Sequence, residues 1–183
     1  MTFSHPGYDL IFIQKSACKD ESAHLFTYIY KFYSPVTKYW YVLRAEYHES
    51  DVIAVKFYCK KDKTSDYKYS RIINRGDVGN ILVTCAKVIP VLLQYHPSAS
   101  FCFCASRTVD EKNKTVEQVR INQRFRTYKY VLERLIGPIT FTHFEYEDIS
   151  SYLMVNNNYR NVNTKERELI KMFAQTYNYL PDL

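Results

Sequence analysis

Alternating aromatic and polar positions dominate the chain before residue 60. Residues 24–33 (HLFTYIYKFY) and 38–48 (KYWYVLRAEYH) are rich in aromatic and β-branched side chains, and every second position of each lies on the same side of an extended chain. Residues 8–13 and 52–59 are shorter apolar runs, and Ser34-Pro35-Val36-Thr37 has the composition of a turn. This pattern predicts an antiparallel β-meander.

Helical and extended patterns follow each other after residue 77. Residues 78–95 are apolar almost all round, which is typical of a buried helix, and Pro90 is expected to kink it. Residues 116–136 place apolar side chains at helical spacing, with Thr115 as the expected N-cap and Gly137-Pro138 as the stop. The remaining predictions are strands at 99–105, 139–146 and 152–155 and a last helix from about 164 to 179.

The order of these elements predicts an α+β fold with an antiparallel or mixed sheet, the meander at its N-terminal end, and helices packed on one face. The length of 183 residues is ordinary for one domain. Because no repeat, low-complexity linker or shift in composition divides the sequence, we expect residues 1–183 to form a single domain.

Composition and charge narrow the function classes only slightly. The formal net charge of +6 permits binding to nucleic acid or another polyanion without requiring it. The five cysteines are irregularly spaced and the first residues do not resemble a signal peptide, so we expect a cytoplasmic protein with free thiols. The longest apolar run, 81–93, carries Lys87 and Pro90 and is too short to span a bilayer, so no membrane association is predicted.

Motifs for cofactor or metal chemistry are absent from the sequence. It contains no GxGxxG, GxxxxGK[ST], GxSxG or HExxH pattern, and we predict no cofactor. Cys102 and Cys104 share one side of a predicted strand, but a zinc site needs four ligands and no second close pair of Cys or His follows. Buried structural cysteines are therefore the favoured interpretation, and no metal is predicted.

Basic residues cluster in the 116–136 helix and the loop before it. One interpretation is a solvated amphipathic helix whose arginine stems cover apolar surface. The other is an anion site, because helix N-termini favour anions and arginine can hold phosphate or carboxylate in a bidentate fork. The predicted nucleic-acid- or anion-binding residues are Arg107, Arg120, Arg124, Arg126 and Lys129.

The tyrosine-rich strands suggest a second recognition surface, because only one face of the sheet can pack on the helices. Exposed aromatic side chains beside lysines can stack the bases of single-stranded nucleic acid. They can also form a dimer or partner interface, where tyrosine is enriched, and we favour this interpretation. The predicted interface residues are Phe26, Tyr28, Tyr30, Tyr39 and Tyr41.

Residues 74–136 resemble a group of small bacterial and phage-associated proteins of unknown function. The matching segments are Asn74-Arg75-Gly76-Asp77, His96-Pro97, Phe101 to Ser106, and Arg124-Phe125-Arg126-Thr127-Tyr128. The likeness covers about the middle third of the chain, which departs from it by a longer loop after Ser106 and an added C-terminal helix. The resemblance implies a toxin–antitoxin or phage-defence gene pair, and it carries no assigned activity.

We therefore predict a non-enzymatic interaction protein that forms a homodimer or binds a protein partner through the predicted 116–136 helix, which contains Arg124 and Tyr128. A contact of this helix with RNA or DNA is left open. The first alternative is a metal-independent, RNase-like toxin, because Arg can stabilise transition-state charge while His or Tyr moves protons. Its candidate catalytic residues are His143, Arg107, Arg124 and Tyr128. The second alternative is a structural protein of a virion or mobile element.

Overall fold

The structure, a computed structural model, describes residues 5–71, 76–110 and 113–177. Its strands are β1 (Ile11–Ala17), β2 (His24–Ser34), β3 (Tyr39–His48), β4 (Val52–Cys59), β5 (Ser100–Cys104), β6 (Val109–Asp110), β7 (Thr115–Val116), β8 (Phe141–Tyr146) and β9 (Ser151–Asn156). Its α-helices are α1 (Val78–Ala86), α2 (Val88–Leu93), α3 (Gln123–Leu135) and α4 (Val162–Thr176). A seven-stranded mixed sheet has the order β1-β2-β3-β4-β5-β9-β8, and β6 pairs with β7 in a separate ribbon. The predicted α+β fold class is confirmed.

Strands β1 to β4 form the meander that the alternating pattern predicted. Pairing sets Tyr30 opposite Leu43 and Phe32 opposite Tyr41, so large side chains of neighbouring strands meet on one face. The β2–β3 connection closes with a hydrogen bond of 2.8 Å from the Lys38 N–H to the Ser34 carbonyl. Alternation thus decides the face that each residue occupies. It did not give the extent of β1, which begins three residues and ends four residues later than the predicted run 8–13.

The connection between the parallel strands β4 and β5 contains two short helices where one kinked helix was predicted. Helix α1 ends at Ala86, and α2 begins two residues later with Pro90 in its first turn. Pro90 has no N–H to donate to the Ala86 carbonyl, and its ring crowds that oxygen, so the helical ladder is interrupted there. Asn74 and Arg75 of the predicted turn before α1 lie outside the described residues.

Helices α1, α2 and α3 pack on one face of the sheet and form the main core with it. Helix α4 lies on the opposite face, whereas the sequence predicted helices on one face. Adjacent strand residues point to opposite sides, so Ile53 enters the main core while Val52 joins Leu169 and Met172 of α4 in a second cluster. Because β4 and β9 carry apolar residues on both sides, this part of the sheet needs a helix on each face.

Helix α3 begins at Gln123, so the predicted helix over 116–136 is wrong in its first third. Val116 belongs to β7, and Ile121 has a φ of 48°, which no α-helix accommodates. The N-cap is Asn122 rather than Thr115, because the Asn122 side chain accepts a hydrogen bond of 2.9 Å from the Phe125 N–H. The apolar periodicity of this stretch extended the predicted helix past its true start.

Candidate ligand-binding cleft

A cavity of about 310 Å³ lies where the sheet divides between β4 and β5, and we call it the cleft. The two strands pair in parallel only from Val52–Ser100 to Ala54–Cys102. Beyond these residues β4 continues beside β3 and β5 continues beside β9, so the strands separate. In open, mostly parallel α/β sheets, ligands bind where neighbouring strands separate at their carboxyl ends, and the β4–β5 pair has this arrangement locally.

Helix α3 forms one wall of the cleft with Arg124 and Tyr128, which lie four residues apart and therefore share a side of the helix. Arg124 donates one hydrogen bond of 2.6 Å to the Arg71 carbonyl and pairs with no carboxylate of the described residues. Burial lowers the pKa of Arg124, while nearby Tyr128 and Glu117 favour its charge. Its remaining N–H groups form no other hydrogen bond to the described residues and so can bind a ligand.

Tyr128 is 9% exposed, and its hydroxyl finds no hydrogen-bond partner among the described residues. Burial raises the pKa of this phenol, so Tyr128 stays protonated and can donate a hydrogen bond. Tyr128 lines the cleft, so its hydroxyl can donate a hydrogen bond to a ligand there, beside the guanidinium of Arg124.

A capping network holds α3 against the sheet. The amide group of the Asn122 side chain donates to the Ala105 carbonyl at 2.6 Å, just after β5 ends. The Asn122 N–H donates to Ser150 Oγ at 2.9 Å, at the corner between β8 and β9. The carboxylate of Glu117 accepts the Gln123 N–H at 2.7 Å. These bonds fix the first turn of α3, and so they fix where Arg124 and Tyr128 stand.

The opposite wall comes from the end of α4, with Ile170, Phe173 and Tyr177. Tyr177 is held by His48, whose Nδ1–H donates to the Glu46 carbonyl at 2.9 Å and whose Nε2 accepts from the Tyr177 hydroxyl at 2.7 Å. Burial lowers the pKa of His48 to about 4, so the ring is neutral at pH 7. The C-terminal end of α4 is thereby tied to β3 across the cleft.

The charge of the cleft is positive. Lys56 and Arg124 are its charged lining residues, and no Asp or Glu of the described chain lines it. Lys56 lies 2.7 Å from Glu46 Oε2, which lies outside the lining. Burial opposes the charge of Glu46, yet Lys56 holds the pKa of that carboxyl below its usual value. The cleft therefore favours an anionic group, above all beside Arg124, which pairs with no carboxylate in the part of the chain that the structure describes.

The cysteines of β5 also face the cleft. Cys102 is half-buried against α4, and burial raises the pKa of its thiol, so it is a poor nucleophile. Cys104 is exposed and accepts a weak hydrogen bond of 3.4 Å from Ser151 Oγ. Within residues 5–71, 76–110 and 113–177, no three His, Cys, Asp or Glu side chains are grouped as metal ligands.

The basic residues predicted to bind anions do not form one surface. Arg107 and Arg126 are exposed, and neither lines the cleft. Arg120 lies before α3 and pairs with Asp148 at 3.3 Å, and Lys129 pairs with Glu145 at 2.6 Å. Of the five predicted residues, Arg124 is the one that enters the cleft. The predicted set is divided because α3 begins only at Gln123 and because Arg120 and Lys129 already have acidic partners.

The four residues proposed for an RNase-like site are divided in the same way. His143 lies on the edge strand β8, where its Nδ1 is 2.8 Å from the hydroxyl of the buried Tyr152. Burial lowers the pKa of His143, and this ring is not among the lining residues of the cleft. Arg124 and Tyr128 are together in the cleft, whereas Arg107 and His143 lie outside it.

The predicted aromatic interface needs correction, because the register places its residues on the covered face. Tyr30 is 5% and Tyr41 is 3% exposed, and both belong to the main core. Phe26, Tyr28 and Tyr39 lie on the same face and are half-buried. The even-numbered residues of β2 and the odd-numbered residues of β3 face helices α1 to α3, so the other set of each strand lies on the opposite face, which α4 covers in part. The sequence pattern separated the two sets without indicating which one the helices cover.

Sequence reasoning missed the remaining parts of the cleft. The spacing of Arg124 and Tyr128 was a usable signal for one wall. The wall formed by Phe173 and Tyr177 depends on α4 crossing to the other face of the sheet, which has no local signature.

Two further findings bear on function. No helix among the described residues is both long enough and apolar enough to cross a bilayer. Comparison with protein-family models, with curated proteins and with solved structures finds no match to this chain.

Proposed function

We propose that this protein is a non-enzymatic recognition protein that binds an anionic group of its partner in the cleft. Arg124 would hold the anion, and Tyr128 would donate a hydrogen bond to it. The observation that carries the proposal is that Arg124 and Tyr128 line the cleft together. Among the described residues, Arg124 pairs with no carboxylate and the Tyr128 hydroxyl has no hydrogen-bond partner. A bound carboxylate or phosphate oxygen would satisfy both groups at once.

The rest of the lining indicates what else the bound group carries. The walls are mostly apolar and aromatic, with Phe57, Phe103 and Phe173 among them. A volume of about 310 Å³ lies at the small end of the usual range for ligand sites. The cleft therefore suits a compact anion attached to an apolar or aromatic body. The toxin–antitoxin or phage-defence setting implied by the resemblance stays a prediction.

Calorimetric titration of the full chain with small aromatic probes tests the proposal. Benzoate and phenyl phosphate are the anionic probes, and benzamide is the neutral match of benzoate. We expect the anions to bind and benzamide not to bind. Hydrogen bonds to charged groups contribute about 1.5–3 kcal/mol, so R124Q and Y128F should each weaken binding by roughly 10- to 150-fold.

Arg126 provides the matched control, because it lies on α3 two residues from Arg124 and is exposed outside the cleft. R126Q should bind the anionic probes like the wild-type chain. Three results would refute the proposal: no binding of either anion, equal binding of benzamide and benzoate, or equal losses in R124Q and R126Q.

A further inference from the structure

A second surface lies on the face of the meander opposite the main core. We call it the aromatic platform and define it by Lys31 and Tyr33 of β2, Trp40 of β3, the buried Tyr58 of β4 and Lys68 of the following loop. Tyr33 and Trp40 are directly opposite each other, with ring centroids 5.3 Å apart. They are 41% and 38% exposed, and α4 covers this face only farther along, near Val52. None of the five platform residues lines the cleft.

Cations stand beside these rings without acidic partners. Lys31 Nζ lies 4.9 Å from the centroid of the Trp40 ring, and Lys68 Nζ lies 5.3 Å from that of Tyr58. Neither lysine forms an ion pair within the described residues. The lysines are therefore available to an external anion while they remain next to an aromatic surface.

The strand residues of this face carry a net positive charge. Strands β1 to β4 place three cations on it, Lys31, Arg44 and Lys56, against the one carboxylate of Glu46. Glu46 is already shared, at 3.4 Å from Arg44 and 2.7 Å from Lys56. Lys68 adds a further positive charge above Tyr58.

This charge selects between two kinds of partner. In a two-fold dimer the same patch occurs on both copies, so stacking of this face would bring positive charges together. A polyanion instead gains from each lysine it meets. Exposed Tyr and Trp rings flanked by lysines are the combination that stacks the unpaired bases of a single strand, whereas a duplex hides the faces of its bases.

We propose that the aromatic platform binds single-stranded nucleic acid, with Trp40 and Tyr33 stacking bases and Lys31 and Lys68 contacting phosphates. Stacking and phosphate contact do not depend on sequence, so the expected binding is tolerant of sequence. This site does not depend on the cleft, and either proposal can fail without the other.

Trp40 is the single tryptophan of the chain, so its fluorescence reports directly on the platform. The full chain is titrated with a single-stranded RNA and a single-stranded DNA of about 12 nucleotides, a length within the range that such sheets accommodate. The same strands annealed to their complements serve as duplex probes. We expect single strands to quench Trp40 and duplexes to bind more weakly.

Variants are measured by the anisotropy of a labelled strand. Loss of one stacked base costs roughly 5- to 150-fold in affinity, which is the expectation for W40A, while W40F should retain most of the binding. K31A should lower the slope of log affinity against log salt by about 0.7, the amount for one phosphate contact. Circular dichroism confirms that each variant is folded.

A matched control exists on α3, where Arg134 lies 4.1 Å from the ring of Tyr130, which is 42% exposed. Y130A removes an exposed aromatic ring outside the platform, and R134A removes the cation beside that ring. Both variants should bind single strands like the wild-type chain. The proposal is overturned if single strands leave Trp40 fluorescence unchanged, if W40A binds as tightly as Y130A, or if duplexes bind as tightly as single strands. It is equally overturned if light scattering shows that the wild-type chain is a dimer and W40A is a monomer, since the platform would then be an interface between copies.

Discussion

Replacement of Asn122 by alanine should destabilise the protein far more than the loss of an ordinary helix cap. The side chain is 2% exposed and makes two hydrogen bonds, to the Phe125 N–H at 2.9 Å and to the Ala105 carbonyl at 2.6 Å. Loss of an N-cap costs about 1 kcal/mol. Ala105 is buried, so its carbonyl would also lose its partner away from water, at about 1–3 kcal/mol. The expected loss in the free energy of unfolding is therefore about 2–4 kcal/mol.

The assay is urea denaturation of N122A beside two other variants. Asn161, the N-cap of α4, is exposed, and the Thr164 N–H donates to it at 2.9 Å, so N161A should cost about 1 kcal/mol. N122S keeps an acceptor for the cap but has no donor that reaches Ala105, so its loss should fall between the other two. A loss in the free energy of unfolding that is no larger in N122A than in N161A would refute this prediction. In that case the bond to Ala105 would contribute nothing, and α3 would be positioned by packing alone.

Two further outcomes follow from buried polar groups. Y128F removes a hydroxyl without a partner among the described residues, so it should leave the free energy of unfolding unchanged or raise it by up to about 1 kcal/mol, and a clear loss in thermal denaturation would reveal a hidden partner. Burial lowers the pKa of His48 in the folded state to about 4 from an ordinary value of about 6.5. The neutral ring therefore contributes fully to the free energy of unfolding above pH 6.5, and this contribution is lost as the pH falls through 4. One pKa unit corresponds to about 1.4 kcal/mol, so the free energy of unfolding should fall by roughly 3 kcal/mol between pH 6.5 and pH 4. In H48Q the free energy of unfolding should depend much less on pH over this range. If H48Q loses stability with falling pH as steeply as the wild-type chain, the acid sensitivity belongs to carboxylates such as Glu46.

Most secondary structure was predictable because its cause is local. The alternation in residues 24–59 reflects the side-to-side geometry of a strand, and the structure has β2, β3 and β4 within one residue of the predicted bounds. The start of α3 was not predictable in this way, because the helical spacing of Phe125, Tyr128 and Leu132 extends back to Ile121, which lies before the helix. The buried capping contacts of Asn122 determine that start, and they come from distant parts of the chain.

The candidate sites also combine features that the sequence could predict with features that depend on distant contacts. Arg124 and Tyr128 could be selected from the sequence, because their spacing places them on one side of a helix. The sequence could not show that Arg124 would have no acidic partner among the described residues while Arg120 and Lys129 would have one, because those carboxylates lie at Asp148 and Glu145. Charge pairing across the fold decides which cations are available to a ligand.

Residue order alone determined the α+β class, the meander and the positions of most helices, because propensity, turn residues and hydrophobic period act over a few neighbouring residues. Only the tertiary structure decided that β4 and β5 separate to open the cleft and that α4 crosses to the second face of the sheet. It also decided that Tyr33 and Trp40, rather than Tyr30 and Tyr41, face outward. Each of these depends on which surfaces become buried together, a free energy that belongs to pairs of distant segments and to neither segment by itself.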